Sequence, residues 1–293
     1  MTRRTAFLFP GQGGLPKKLP PTAPEIDPLF DLAASHGLDL RAWMEAGDHD
    51  RLFPTDVAQP AILIDSVAHD IALKQAGYAP DLVAGHSLGE YSALVSANVL
   101  EPADALELVI ERGSLMSKVS GAMAAIVKLE LDAVTDLCDE AGPDVVIANH
   151  NGTHQVVISG TEEAVARVIV KAEAAGGRGI PLKVSGPFHS PFMSAARDTL
   201  ADRIDRTRFR SPTVPIVCGV SGRIESDPQR LRALMRDQMT ACVRWVDVLD
   251  RLVEQDIDRA IESGSGKVLV GLGRRHTERI EFLTYEEAAD AKL

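Results

Sequence analysis

Gly85-His86-Ser87-Leu88-Gly89 places a serine between two glycines, with an apolar run over residues 82–84 before it and an amphipathic stretch from 91 after it. A serine set this way sits on a sharp strand-to-helix turn, where the glycines permit the tight backbone and let neighbouring chain pack close beneath. Its hydroxyl projects at the top of a sheet. The N-terminus of the following helix, with the backbone N–H of Leu88, faces the place where an oxyanion would develop. This is the chemistry of a serine nucleophile beside an oxyanion site. A serine hydroxyl is a poor nucleophile until a base takes its proton, so a histidine must accompany it.

Eight histidines are available. His36, His49, His69 and His276 lie in polar or helical surroundings and read as solvated surface residues, and His150 and His154 flank a hairpin turn. His86 adjoins Ser87 on a sharp turn where neighbouring side chains diverge, so it reads as support for the turn rather than as the base. His189, in Ser185-Gly186-Pro187-Phe188-His189-Ser190-Pro191-Phe192-Met193, follows a strand and precedes a helix. From pattern alone it is either the base or a packing histidine.

The elements that must position these residues alternate. A buried strand over 6–9 runs into the glycine-rich loop Pro10-Gly11-Gln12-Gly13-Gly14, a surface loop follows over 15–28, and apolar spacing predicts a helix over 59–76. After the strand at 82–84 and a helix from 91 to 99, a further helix is read over 103–118. Strand-like runs at 123–127, 145–149, 155–159 and 179–184, with helical runs at 133–140 and 161–175, then give the order β-α-β-β-α-β of a ferredoxin-like unit. Past 185 the α/β alternation resumes, with helices over 191–204, 231–239 and 246–254, strands over 214–217 and 260–262, and a helix from 267. The expected fold is α/β: a parallel-sheet core with helices on both faces, residues 1–121 and 186–293, interrupted by an inserted subdomain at 122–185.

Composition fits an ordinary folded chain of 293 residues, 45% apolar and 25% charged. A net charge of −11 argues against general binding to nucleic acid or anionic membrane. Three scattered cysteines, Cys138, Cys218 and Cys242, make no disulfide framework or CxxC metal site and read as small buried side chains in a reducing compartment. The apolar run near the start stops at Pro10, too short for a signal-peptide core. No stretch approaches the roughly 18 apolar residues of a membrane span. A cytoplasmic protein is expected.

Eight motifs stand in one order: Phe9-Pro10-Gly11-Gln12-Gly13, Gln59-Pro60-Ala61, Gly85-His86-Ser87-Leu88-Gly89-Glu90-Tyr91, Arg112-Gly113-Ser114-Leu115-Met116, Gly121-Ala122-Met123-Ala124-Ala125, Ala148-Asn149-His150-Asn151, Val156-Val157-Ile158-Ser159-Gly160 and Gly186-Pro187-Phe188-His189-Ser190. In these the chain resembles the malonyl-CoA:acyl-carrier-protein transacylases, with their free-standing relatives in polyketide synthesis, from residue 6 to about residue 273.

The resemblance implies a hydrolase-like core with a ferredoxin-like insertion. It implies that Ser87 carries the acyl group, that His189 is base and then acid, and that Gln12 and Leu88 supply the oxyanion N–H groups. Arg112 would pair with the free carboxylate of the malonyl group, and the main-chain carbonyl of Gln238 would orient the histidine in place of a triad acid. Phe188 and Met116 would lie beside the acyl group. Read without the resemblance, Arg112 is a solvated partner of Glu107 and Glu111, Gln12 a loop residue, Phe188 and Met116 core, and nothing in its spacing singles out Gln238.

The partners so implied are malonyl-CoA and an acyl carrier protein, met by a basic patch drawn from Lys183, Arg223, Lys267, Arg274 and Arg275. Neither nucleic acid nor membrane is expected, nor a metal or redox cofactor, and the expected state is a monomer. Two rivals use the same residues differently: a hydrolase that releases acyl groups from a carrier to water, and an inactive carrier-binding protein. The sequence departs from the family at Leu15-Pro16-Lys17-Lys18, Cys218-Gly219-Val220-Ser221 and Ser263-Gly264-Ser265-Gly266, positions that bear on the rim and the carrier contact.

Overall fold

The structure, a computed structural model, describes residues 3–16 and 18–291; Lys17 of the departing loop lies outside them. Its strands in chain order are β1 (Thr5–Phe9), β2 (Leu82–Gly85), β3 (Ala122–Val127), β4 (Val145–Gly152), β5 (Gln155–Gly160), β6 (Arg178–Pro181), β7 (Ile216–Cys218), β8 (Arg223–Glu225), β9 (Arg259–Glu262) and β10 (Glu281–Thr284). The helices are α1 (Asp27–Ser35), α2 (Leu40–Glu45), α3 (His49–Leu52), α4 (Thr55–Gln75), α5 (Gly89–Ser96), α6 (Pro102–Met116), α7 (Leu131–Ala141), α8 (Glu162–Ala174), α9 (Ser194–Arg206), α10 (Pro228–Asp237), α11 (Trp245–Glu254), α12 (Val268–His276) and α13 (Tyr285–Asp290).

The larger sheet has the order β10-β9-β1-β2-β7-β8, parallel from β10 to β7 and closed by the antiparallel edge strand β8. β1 lies between β9 and β2 with every residue buried, as a parallel strand covered on both faces must be. Its side chains alternate between two cores. Phe7 and Phe9 join Val83 and the apolar faces of α4, α5, α6 and α9, while Ala6 and Leu8 join Leu82, Ala84, Trp245, Leu249 and Leu269 on the other side.

The second sheet is antiparallel throughout, in the order β4-β5-β3-β6. One face packs on α7 and α8 through Ala124, Ile126, Val156 and Ile158. The other face, with Met123, Ala125 and Val157, belongs to the main core and looks toward the C-terminal ends of β1 and β2, over the turns that follow them.

Three short helices, α1 to α3, escaped the apolar-spacing pattern, and so did β8, β10 and α13. Of the segment expected as surface loop, residues 18–28 are less exposed than that, because Ala23 and Ile26 are buried in the core and Asp27 already opens α1. Gln12 to Gly14 form a 3-10 turn within the glycine loop. His69 is buried rather than solvated, its Nδ1 2.7 Å from the carbonyl of Asp65 and its ring edge-on to Tyr285. Among the described residues no helix is long and apolar enough to cross a membrane.

Candidate active site

β2 ends at Gly85 and α5 begins at Gly89, so the whole reversal is made by His86, Ser87 and Leu88. Both glycines are required by space. A Cβ on Gly85 would stand 2.1 Å from the carbonyl carbon of Gly89, and one on Gly89 would stand 2.0 Å from the carbonyl oxygen of Phe9. Ser87 has a φ of 54°, a left-handed backbone that a residue with a Cβ seldom adopts.

His189, also left-handed with a φ of 58°, reaches the serine from the loop between β6 and α9. Its Nε2 is 2.7 Å from Ser87 Oγ. Its Nδ1 lies 3.1 Å from the carbonyl of Gln238 and 3.0 Å from that of Ala241. Carbonyl oxygens only accept, so Nδ1 carries the hydrogen, and Nε2 of the neutral ring presents its lone pair to the serine hydroxyl. The two carbonyls orient the ring without adding a negative charge.

Burial pushes the His189 pKa down to about 3, helped by the positive charge of Arg112 and by His86, while the two carbonyl contacts pull the other way. The ring is therefore the free base far below the usual histidine range. Were His189 the base of a serine-mediated transfer, kcat/KM would report its titration in the free protein. The acid limb of kcat/KM for acylation is accordingly expected well below pH 6.5, and rates measured from pH 4 to pH 8 check it; a limb centred at or above 6.5 would contradict the neutral, buried base.

Arg112, on α6, is 1% exposed. Its Nη1 donates to Gln59 Oε1 at 2.6 Å, its Nη2 donates to Ser87 Oγ at 3.3 Å, and its Nε has no partner among the described residues. Burial lowers its pKa, against the opposing influence of Tyr91 and Glu90. The surface ion pair is thus overturned: Glu107 and Glu111 pair instead with Arg203, at 3.0 and 3.3 Å. A guanidinium buried against neutral partners is incompletely compensated, and a ligand carboxylate would complete it.

Ser87, His189 and Arg112 open onto one cavity of about 500 Å³, lined also by Gln12, Leu88, Met116 and Phe188. The acyl transferase domain family matches residues 25–275 of the chain. The chain belongs to that family. It is 39% identical over 283 residues to the malonyl CoA-acyl carrier protein transacylase of Escherichia coli K12, covering 92% of either chain. It superposes on the malonyl CoA-acyl carrier protein transacylase of Coxiella burnetii with a TM-score of 0.91 at 33% identity, over 99% of this chain and 96% of that one. It also superposes, with a TM-score of 0.89 at 35% identity over 96% and 95% of the two chains, on a malonyl-transacylase solved in complex with its type II PKS acyl-carrier protein.

Within this acyl transferase domain the main-chain N–H groups of Gln12 and Leu88 make no hydrogen bond among the described residues, while the Gln12 side chain is tied to Thr55 at 3.1 Å. Met116 and Phe188 are both buried and both line the cavity, so they serve as core and wall at once. Gln238 does not line it; it touches the site through His189 and through the carbonyl of Ser87. His86 turns away, with Nε2 2.8 Å from Asn151 Oδ1 and its ring edge-on to Trp245.

Sequence reasoning missed four contributors: Gln59, which holds Arg112; Asn151, which holds His86; Ala241, whose carbonyl shares the His189 N–H; and Glu90. All but Ala241 stand inside motifs quoted above, which were the only signal. Of the basic patch, Lys183 lines the cavity, whereas Arg274 is committed to the carbonyl of Phe282 and to Glu287.

Proposed function

We propose that this chain moves a malonyl group from malonyl-CoA to the phosphopantetheine thiol of an acyl carrier protein, by a ping-pong route through an ester on Ser87. The observation that carries the reading is the buried Arg112 guanidinium 3.3 Å from the Ser87 hydroxyl, with no carboxylate bonded to it. His189 Nε2 takes the Ser87 proton as Oγ attacks the thioester carbonyl, and the N–H groups of Gln12 and Leu88 receive the oxyanion. The C–S bond breaks and the CoA sulfur leaves with the proton from His189. In the second half the carrier thiol gives its proton to His189 and attacks the ester, and the proton returns to Ser87 as the C–O bond breaks. The relatives' names, which give malonyl CoA and acyl carrier protein as their reactants, support the same substrates here.

In this reading residues 1–121 and 186–293 are a hydrolase-like core and residues 122–185 a ferredoxin-like insertion. The strand order β4-β5-β3-β6, with α7 and α8 on one face, supports the latter. Lys183, Arg223, Lys267 and Arg275 remain as the cations that would meet an acidic carrier.

The test is substrate competition read by the mass of the acylated protein. An acetyl group leaves Arg112 buried and unpaired, whereas a malonyl carboxylate gains a charge-assisted bond of about 1.5–3 kcal/mol. Arg112→Ala is expected to lower kcat/KM for malonyl-CoA by at least about tenfold and to narrow its lead over acetyl-CoA. Methylmalonyl-CoA, a misfit of one methyl group, is discriminated by only about 1–3 kcal/mol, so some leakage is expected. A preference for acetyl-CoA in the unmutated protein would overturn the carboxylate clamp. An ester that decays as fast without carrier as with it would turn the reading into a hydrolase.

A further inference from the structure

Glu90 is 3% exposed and takes no direct part in the cavity wall. Its Oε1 accepts from the N–H of Gly219 at 2.8 Å and from the thiol of Cys218 at 3.0 Å, and its Oε2 accepts from Gln238 Nε2 at 2.5 Å. Every neighbour is a donor, an arrangement suited to a carboxylate, which only accepts. Gln238 Nε2 also donates to the main-chain carbonyl of Ser87 at 2.8 Å, while the main-chain carbonyl of Gln238 accepts from His189 Nδ1. One residue thus grips both members of the reacting pair, the serine by its side chain and the histidine by its backbone.

That grip depends on which way the Gln238 amide faces. Turned over, its Oε1 would meet the Ser87 carbonyl and the Glu90 carboxylate, two acceptors, so the carboxylate locks the donating orientation. Gln238 lies in a 3-10 turn just past α10, where the regular helix no longer fixes its backbone.

We infer that Glu90 is a positioning residue: through Gln238 it sets the distance and angle between Ser87 and His189. It does not touch the reacting atoms. The inference rests on Ser87 and His189 being the reacting pair.

The experiment compares Glu90→Gln, Gln238→Met and the double variant. It reads kcat and KM for malonyl transfer, and the rate at which a small fluorophosphonate labels Ser87. A glutamine at 90 offers a donor where Gln238 now finds only an acceptor, and frees its amide to turn. Each single variant is expected to lower kcat by about 10–100-fold, the scale of a modest misplacement of reacting groups, with KM for malonyl-CoA within about threefold. Fluorophosphonate labelling is expected to slow in step, and the double variant to be no slower than the slower single, because both break one brace. A kcat within about twofold of the parent in Glu90→Gln overturns the inference, as do losses that multiply in the double variant. Should Glu90→Gln fail to fold, Gln238→Met decides by the same two thresholds. Labelling that persists in Ser87→Ala would bring down the reacting pair itself, whereas labelling lost there but unchanged in the two brace variants would overturn this inference alone.

Discussion

Ser87→Ala protein exposed to malonyl-CoA is expected to show no mass increase, and malonyl transfer to a carrier is expected to fall by about 10⁴-fold or more. The substitution removes Oγ and little else. Arg112 keeps its bond to Gln59, His189 keeps both of its carbonyl partners, and the glycines that make the turn are untouched. Binding of malonyl-CoA is therefore expected to survive within a few-fold, which separates loss of the nucleophile from loss of the pocket. Intact mass and calorimetric binding on the same preparation check the two halves, and an adduct forming at the parent's rate would remove Ser87 from the reaction.

His189→Ala is expected to slow acylation by about 10²–10⁴, the range of a positioned proton acceptor. Without the ring, Ser87 Oγ keeps only the Arg112 contact, a donor that cannot take its proton. The carbonyls of Gln238 and Ala241 lose the same hydrogen; that of Gln238 keeps the N–H of Ala241 at 3.3 Å, so the half-buried Ala241 carbonyl is the one left short of a donor. Added imidazole, small enough for the vacated space, is expected to restore part of the rate, and only in this variant. A normal rate without imidazole would send the search to His86, which would first have to release Asn151.

Of the proposed pair, the serine carries a local signal, two glycines around it, whereas His189, in a short loop between a strand and a helix, read from pattern alone as either base or packing residue, and only the resemblance singled it out. The residues that hold Arg112 and Gln238 in turn had no such signal. Gln59 meets Arg112 across 53 positions and Gln238 meets Glu90 across 148, contacts made by the stacking of α4 on α6 and by the turn after α10, with no spacing rule in one chain to announce them. Arg112 shows the difficulty in one residue. Glu107 and Glu111 lie five and one positions before it, so nearness in sequence suggested an ion pair that the helical spacing of three or four does not support. α4 packs against α6 and brings Gln59 to Arg112, while Arg203 of α9 takes both acids. The layered order of strands and helices was legible from periodicity, whereas α1 to α3 fell outside it: each is nine residues or shorter, and α2 and α3 bury only one or two side chains apiece.

The smaller sheet is read twice by the chain. Along β3 and β5, Met123, Ala125 and Val157 face the cavity, while Ala124, Ile126, Val156 and Ile158 face α7 and α8. Alternate positions on the same two strands thus answer to different demands, one set to the volume offered to an acyl chain and the other to whether the insertion holds together. Drift in acyl size would fall on the first set while the second stays fixed, so chain-length preference can evolve here without loosening the insertion from its own helices, at a cost borne by the main core to which the first set also belongs.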